Sequence, residues 1–353
     1  MAKPALYGIT HSNRDFSDPY YWGKNQFNSA FPVALACFMR DSHIKPVYLR
    51  LDKQRKIFHE EISVGDLFNT KLENDKLFFA FESRFEPYTK FVHDELETID
   101  LVLKDARSNQ FMRPLEIKLT TLPDNTTASL HENKYGCEIV IRSPTMRYMA
   151  LSMADSLQKK FKEIRDIFEP TCLTIRQWDN EVEIRNNMPK ILDALEAFNS
   201  KYRKYEKPLL IQPVWKTIGK STVLADNCLD IFVWSDFALT RLFMDSALEN
   251  ESETISRQQR AAARLARFFF EISRAGMVYQ KPIYDGMSLG NQTDKEFAIS
   301  GNKTYTYMKC DRLTKPIIQK NQVKKIILGG GQKFLSPERR FDAIIFFSND
   351  LFD

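Results

Sequence analysis

The chain has 353 residues, 43% of them hydrophobic, which is enough to bury a large core without disulfides or structural metals. Its formal charge of +5 is too small to name a partner, but the C-terminal third is the basic part: Lys309, Arg312, Lys315, Lys320, Lys324, Lys325, Lys333, Arg339 and Arg340. No stretch approaches the roughly 20 apolar residues of a membrane span, and the opening MAKPALYGITHSNRDFS lacks the apolar run of a secretory signal, so a cytoplasmic protein without membrane contact is expected.

The five cysteines, Cys37, Cys137, Cys172, Cys228 and Cys310, are odd in number and far apart, with no CxxC. Reduced, buried thiols are expected rather than a zinc or redox site. Five scattered histidines likewise show no paired metal spacing.

In chain order, the first forty residues combine a polar and aromatic cluster, SNRDFSDPYYWGKNQFNSAFP, with an apolar helical run from Val33 to Met39. Strands are expected at Val47–Asp52 and Lys76–Glu82, and a short helix within RFEPYTKFVHDEL. A hairpin-like pair follows, ETIDLVLKDA and FMRPLEIKLTT, joined by the polar residues Arg107 to Gln110. GCEIVIRS reads as a strand, and MRYMALSMADSLQKKFKEIRDIF as one long amphipathic helix. Helices at 186–205 and 257–275 then alternate with the strands PLLIQPVW, LDIFVW, KKIILGG and FDAIIFF. The fold class is α/β, a mixed central sheet flanked by helices. The least arbitrary division falls near Pro170, giving an N-terminal region 1–170 and a C-terminal region 171–353, although one compact domain fits as well.

The hairpin carries the chemistry. Alternate strand residues share a face, so Leu115, Ile117 and Leu119 can enter the core while Glu116 and Lys118 project from the other side. Asp100 stands between the apolar residues Ile99 and Leu101 and is expected on the same open face. Two carboxylates and a strand carbonyl are hard oxygen donors suited to Mg²⁺, and Lys118 would polarise the attacking water. The spacing alone is weak: ENK at Glu132 to Lys134 repeats it in turn-like sequence, and the plainer alternative is a charged, solvated strand face.

Ser12 to Phe16 and Trp22 to Pro32, together with IDLVLKDA and LEIKLTTLPDNTT, resemble the HindVP and HgiDI group of type II restriction endonucleases. The resemblance covers the N-terminal two-fifths or so of the chain. It implies a PD-(D/E)XK nuclease core within 1–170, with 171–353 contributing DNA binding and dimerisation, in a homodimer that cuts double-stranded DNA at the palindrome GRCGYC, with the cognate methyltransferase a separate protein. Asp100, Glu116 and Lys118 match the group's catalytic residues, Asp100 and Glu116 as the metal ligands; Ile99 replaces the usual proline. The resemblance also implies an assisting acid from an upstream helix, with Glu82 and Glu86 the candidates and a plain helix-surface role the alternative for each.

DNA contacts are expected from Arg14, Lys24, Asn25, Gln26 and Asn28, and from a guanidinium stripe formed by Arg257, Arg260, Arg264 and Arg267 at helical spacing. On that expectation, removing Arg260 and Arg264 would flatten the salt dependence of DNA binding. The alternatives are a noncatalytic DNA-binding protein and a repair nuclease of the same fold. IGKST lacks the earlier glycine of a phosphate loop, Gly329 to Gly331 form no dinucleotide pattern, and DPYY has no methyl-donor partner motif.

Overall fold

The computed structural model describes residues 9–14, 33–34, 36–45, 47–51, 57–117, 139–205, 215–218, 221–224, 227–228, 247, 253–299 and 318–319. The strands expected in PLLIQPVW before Trp215, in LDIFVW, in KKIILGG and in FDAIIFF lie outside them.

Four strands form the sheet that positions the site. Strand β1 (His11–Ser12) runs parallel to the strand at Leu77–Ser83, which pairs antiparallel with that at Ile99–Asp105, itself antiparallel to that at Phe111–Leu115. In chain order, with the separate hairpin β2 (Val47–Leu51) and β3 (Ile57–Glu61), these three are β4, β5 and β6. The expected hairpin is thus β5–β6. Asp105 closes it by accepting from the N–H groups of Arg107 and Ser108 at 2.7 and 2.9 Å, the local bonding that makes Asp a turn residue.

Both faces of this sheet are covered. Phe79, Leu101 and Leu103 are buried on the side of helix α1 (Val64–Phe68), where Phe68 meets Phe79 edge-on at 6.0 Å. Arg113 seals that side by donating to the carbonyls of Asp66 and Leu67 at 2.8 and 2.9 Å, at the helix end where carbonyls run short of backbone donors; the Asn69 N–H also reaches Asp66. On the other side Ala80 and Val102 join the main apolar cluster.

That cluster is helical. The single long helix expected over 146–168 is two helices, α2 (Ser143–Ser156) and α3 (Phe161–Cys172), separated by a 3₁₀ turn at Gln158–Lys160. The break has a packing reason. Every residue from Thr145 to Ala154 is buried, whereas α3 alternates buried Ile164 and Phe168 with exposed charge, so the two halves must face different surroundings. Helices α4 (Glu181–Tyr202) and α5 (Arg257–Ala275) complete the layer; Phe198 stacks on Phe269 at 4.6 Å and meets Phe168 at a tilt, 5.6 Å between ring centroids. Pro170 lies inside α3, and the buried cluster runs without a break from Ala80 to Leu289. Cys37 and Cys172 are buried free thiols; burial pushes the Cys172 thiol up to about 12.

Helix α5 departs from the amphipathic stripe drawn from its arginines. Ala261, Ala262, Ala263, Leu265, Ala266, Phe268, Phe269 and Ile272 are all 0–1% exposed, so the helix is wrapped on nearly every side. Its ends are set by a capping box between Ser256 and Gln259 and by Gly276 at φ 77°.

Candidate active site

Strand register brings the candidate acids together. Val102 faces Pro114 across β5–β6; Asp100 is two residues before Val102, and Glu116 two after Pro114, so both share the face turned toward α2. The Asp100 carboxylate accepts from the Ile117 N–H at 2.7 Å, which ties it to the backbone immediately after Glu116. Glu116 is only 8% exposed, and its Oε1 accepts from the Thr145 hydroxyl at 2.8 Å.

The open, solvated face drawn from the alternating pattern is therefore corrected. Helix α2 covers it, because β7 (Ile139–Arg142) feeds directly into α2 and delivers Thr145 over the end of β6. Strand β6 also ends at Leu115, ahead of Glu116, instead of running on through the lysine position. Lys118 lies outside the described residues, as do Lys24, Asn25, Gln26 and Asn28.

The start of α2 is held by a buried ionic cluster. Glu296, 0% exposed on β8 (Lys295–Ile299), accepts from the Ser143 hydroxyl at 2.6 Å and pairs with Arg264, with the Arg260 Nε 3.7 Å away. Strand β8 pairs antiparallel with β7, so the cluster and the strand pairing fix the same helix entry. Arg260 also donates to the carbonyls of Asn291 and Lys295, and Arg264 to that of Met287. Further along α2, Arg147 bridges Glu97 and Asp285 at 2.5 and 2.7 Å, and the Tyr148 hydroxyl donates to the Glu97 carbonyl at 2.6 Å.

These contacts correct the guanidinium stripe. Arg260 is 0% and Arg264 3% exposed, and Arg267 pairs with Glu271 at 2.6 Å while donating to the Pro282 carbonyl. Arg257, on the first turn, is half-buried. A three- and four-residue spacing marks one helix face but is silent on whether it meets solvent or a buried acid. Basic groups do line a groove of about 980 Å³ beside α1, among them Arg40, His43, Lys45 and Lys71.

Arg14 does approach the site, as an ion-pair partner. Its guanidinium lies 3.1 Å from Glu82, which belongs to β4 and not to a helix; Glu86 is exposed at the start of a 3₁₀ turn (Glu86–Phe91). Among the described residues there is no group of three or more His, Cys, Asp or Glu side chains able to hold a metal; the local donor set is the carboxylate pair, all oxygen. Thr145 was not legible as a site residue: nothing near SPTM signals a partner 29 positions earlier.

The Thr145 bond yields a first expected result. Thr145→Val keeps the shape and removes the donor, leaving a buried carboxylate short of a hydrogen bond at a cost of about 1–3 kcal/mol. Cleavage should fall by roughly tenfold with Thr145→Ser largely restored, as measured by single-turnover assays on plasmid DNA.

A family model described as HindVP restriction endonuclease matches residues 22–352. The chain is 41% identical over 353 residues to the type II restriction enzyme HgiDI of Herpetosiphon aurantiacus, covering 100% of this chain and 98% of that protein. It is 40% identical over 351 residues to a probable type II restriction enzyme, HindVP, of Haemophilus influenzae, covering 99% and 95%. No solved structure matches. A match spanning both the sheet that carries Asp100 and Glu116 and the helices that cover it means that the chain belongs to the HindVP restriction endonuclease family.

Proposed function

We propose that this protein is a type II restriction endonuclease that hydrolyses double-stranded DNA at a specific palindrome, GRCGYC, by metal-dependent attack of water. The observation that carries the reading is the convergence of Asp100 and Glu116 on one sheet face, each with an oxygen oriented by a hydrogen-bond donor. Oxygen-only donors suit a hard divalent ion, Mg²⁺ above all. When bound, that ion would neutralise charge developing on the scissile phosphate and acidify the attacking water.

Asp100 and Glu116 would hold it, each carboxylate oriented in advance by a hydrogen bond. Thr145 and the Ile117 N–H are the donors. Lys118 is assigned to the attacking water because it follows Glu116 by two residues. The core is read as the PD-(D/E)XK type on the same ground. A palindromic target makes a two-fold dimer the economical assembly, each subunit reading one half-site and cutting one strand. A separate methyltransferase would protect host DNA.

DNA contacts are assigned to Lys24, Asn25, Gln26 and Asn28, whose side chains suit base edges, and phosphate contacts to the basic groove beside α1, since buried Arg260 and Arg264 are unavailable. The test is to digest plasmids carrying several GRCGYC sites with and without Mg²⁺ and to sequence the fragment ends. Discrete ends at GRCGYC are expected. Discrete ends elsewhere overturn the specificity, random nicking favours a repair-type nuclease, and binding without cutting overturns the catalytic reading.

A further inference from the structure

The N-terminal segment does more than add a short edge strand. Residues His11 and Ser12 pair in parallel with Phe78 and Phe79, and the Asn13 side chain then takes over the ladder, donating to the Phe81 carbonyl at 2.9 Å and accepting from the Phe81 N–H at 2.8 Å. The Ser12 hydroxyl closes a tight turn onto Arg14, accepting from its N–H at 2.8 Å and donating to its carbonyl at 3.0 Å. Arg14 is left with little choice of direction. Its guanidinium lies over the Phe81 ring, 4.6 Å from the centroid, and ion-pairs with Glu82.

Glu82, although its side chain is 49% exposed, lies close to the site. Phe81 pairs with Leu101 and Ser83 with Ile99, so Glu82 lies across the β4–β5 ladder from Asp100. Its backbone is left-handed, φ 46°, a conformation that only the surrounding contacts sustain in a residue with a Cβ. The Arg14 side chain is 8% exposed; burial lowers its pKa, while Glu82 first and Asp100 after it favour the charged form. A buried cation is thus built in beside the acids at the mouth of the site.

We propose that Arg14 is the internal counter-ion of the metal site, a positioning residue that offsets the charge of Glu82 and Asp100 in the empty enzyme and competes electrostatically with the incoming divalent ion. The inference rests on the reading of Asp100 and Glu116 as metal ligands. Two carboxylates held on one covered face repel each other and cost desolvation unless a cation is near. Arg14 lowers that cost before metal arrives. Once a divalent ion sits between the acids, the same guanidinium is a like charge nearby, so it weakens metal binding while stabilising the empty site.

The test uses the full chain without DNA and Mn²⁺ as the probe, with free Mn²⁺ counted by its paramagnetic resonance signal. Arg14→Met keeps an apolar stem on Phe81 and removes the charge; Arg14→Lys keeps a charge. Arg14→Met should bind Mn²⁺ roughly tenfold more tightly than the wild type and melt at a lower temperature without metal, a deficit that closes as Mn²⁺ saturates. Arg14→Lys should stay near wild type in both. Equal or weaker Mn²⁺ binding by Arg14→Met, with wild-type binding intact and abolished by Asp100→Asn, would show that Arg14 only packs the segment and would overturn the proposal alone. Wild-type binding absent, or unaffected by Asp100→Asn, would instead overturn the metal-ligand reading and the counter-ion with it.

Discussion

Replacing Glu116 with Gln should slow DNA cleavage by about 1,000-fold or more while leaving folding and DNA binding in place. The substitution conserves volume at a position only 8% exposed, and the amide oxygen can still accept from Thr145. What is lost is a negative charge, and a neutral amide is a far poorer partner for a hard divalent ion. Asp100→Asn should behave alike, with the Ile117 N–H still accommodated by the remaining side-chain oxygen. The measurement is single-turnover cleavage across a metal titration, beside a gel-shift assay in Ca²⁺. If either variant kept rates within tenfold of wild type, the carboxylate pair would not be the metal site.

The largest effect on stability should come from Glu296. Glu296→Ala leaves Arg260 and Arg264 buried without their carboxylate and frees the Ser143 hydroxyl at the start of α2. Breaking a buried pair from one side costs about 3–5 kcal/mol, because an uncompensated charge stays in the core. Urea unfolding should show that loss as a lower midpoint with an unchanged slope. Since α2 also delivers Thr145, the folded fraction should cut more slowly than wild type. For whatever fraction of Arg264→Ala folds, the salt slope of DNA binding should match wild type, since a guanidinium 3% exposed contacts no phosphate. A flattened slope would return that arginine to the DNA surface.

The carboxylate pair was legible because the alternation in IDLVLKDA and RPLEIKL is short-range information: strand period two places Asp100 and Glu116, and a polar turn between the segments makes them neighbours. Helix α5 was legible to the residue for a similar reason, with Ser256 and Gly276 bounding a run of good helix formers. Its environment was not. An arginine reads alike whether it meets water or Glu296, which is 32 residues from Arg264 and on a strand. Likewise the 146–168 stretch keeps one helical period, and only its packing shows that α2 is enclosed while α3 is half-exposed.

Within the described residues the sequence determined local facts: the β5–β6 hairpin and its turn, the helix over 257–275, and which acids share a face, all set by propensity and by periods of two or 3.6 residues. The tertiary structure alone decided that this face is covered, that Thr145 orients Glu116, that Arg260 and Arg264 serve the core, and that Arg14 reaches Glu82 across 68 positions. Those are contacts between segments far apart in the chain. They depend on which surfaces must be buried against each other, a requirement of the whole molecule that no local pattern encodes.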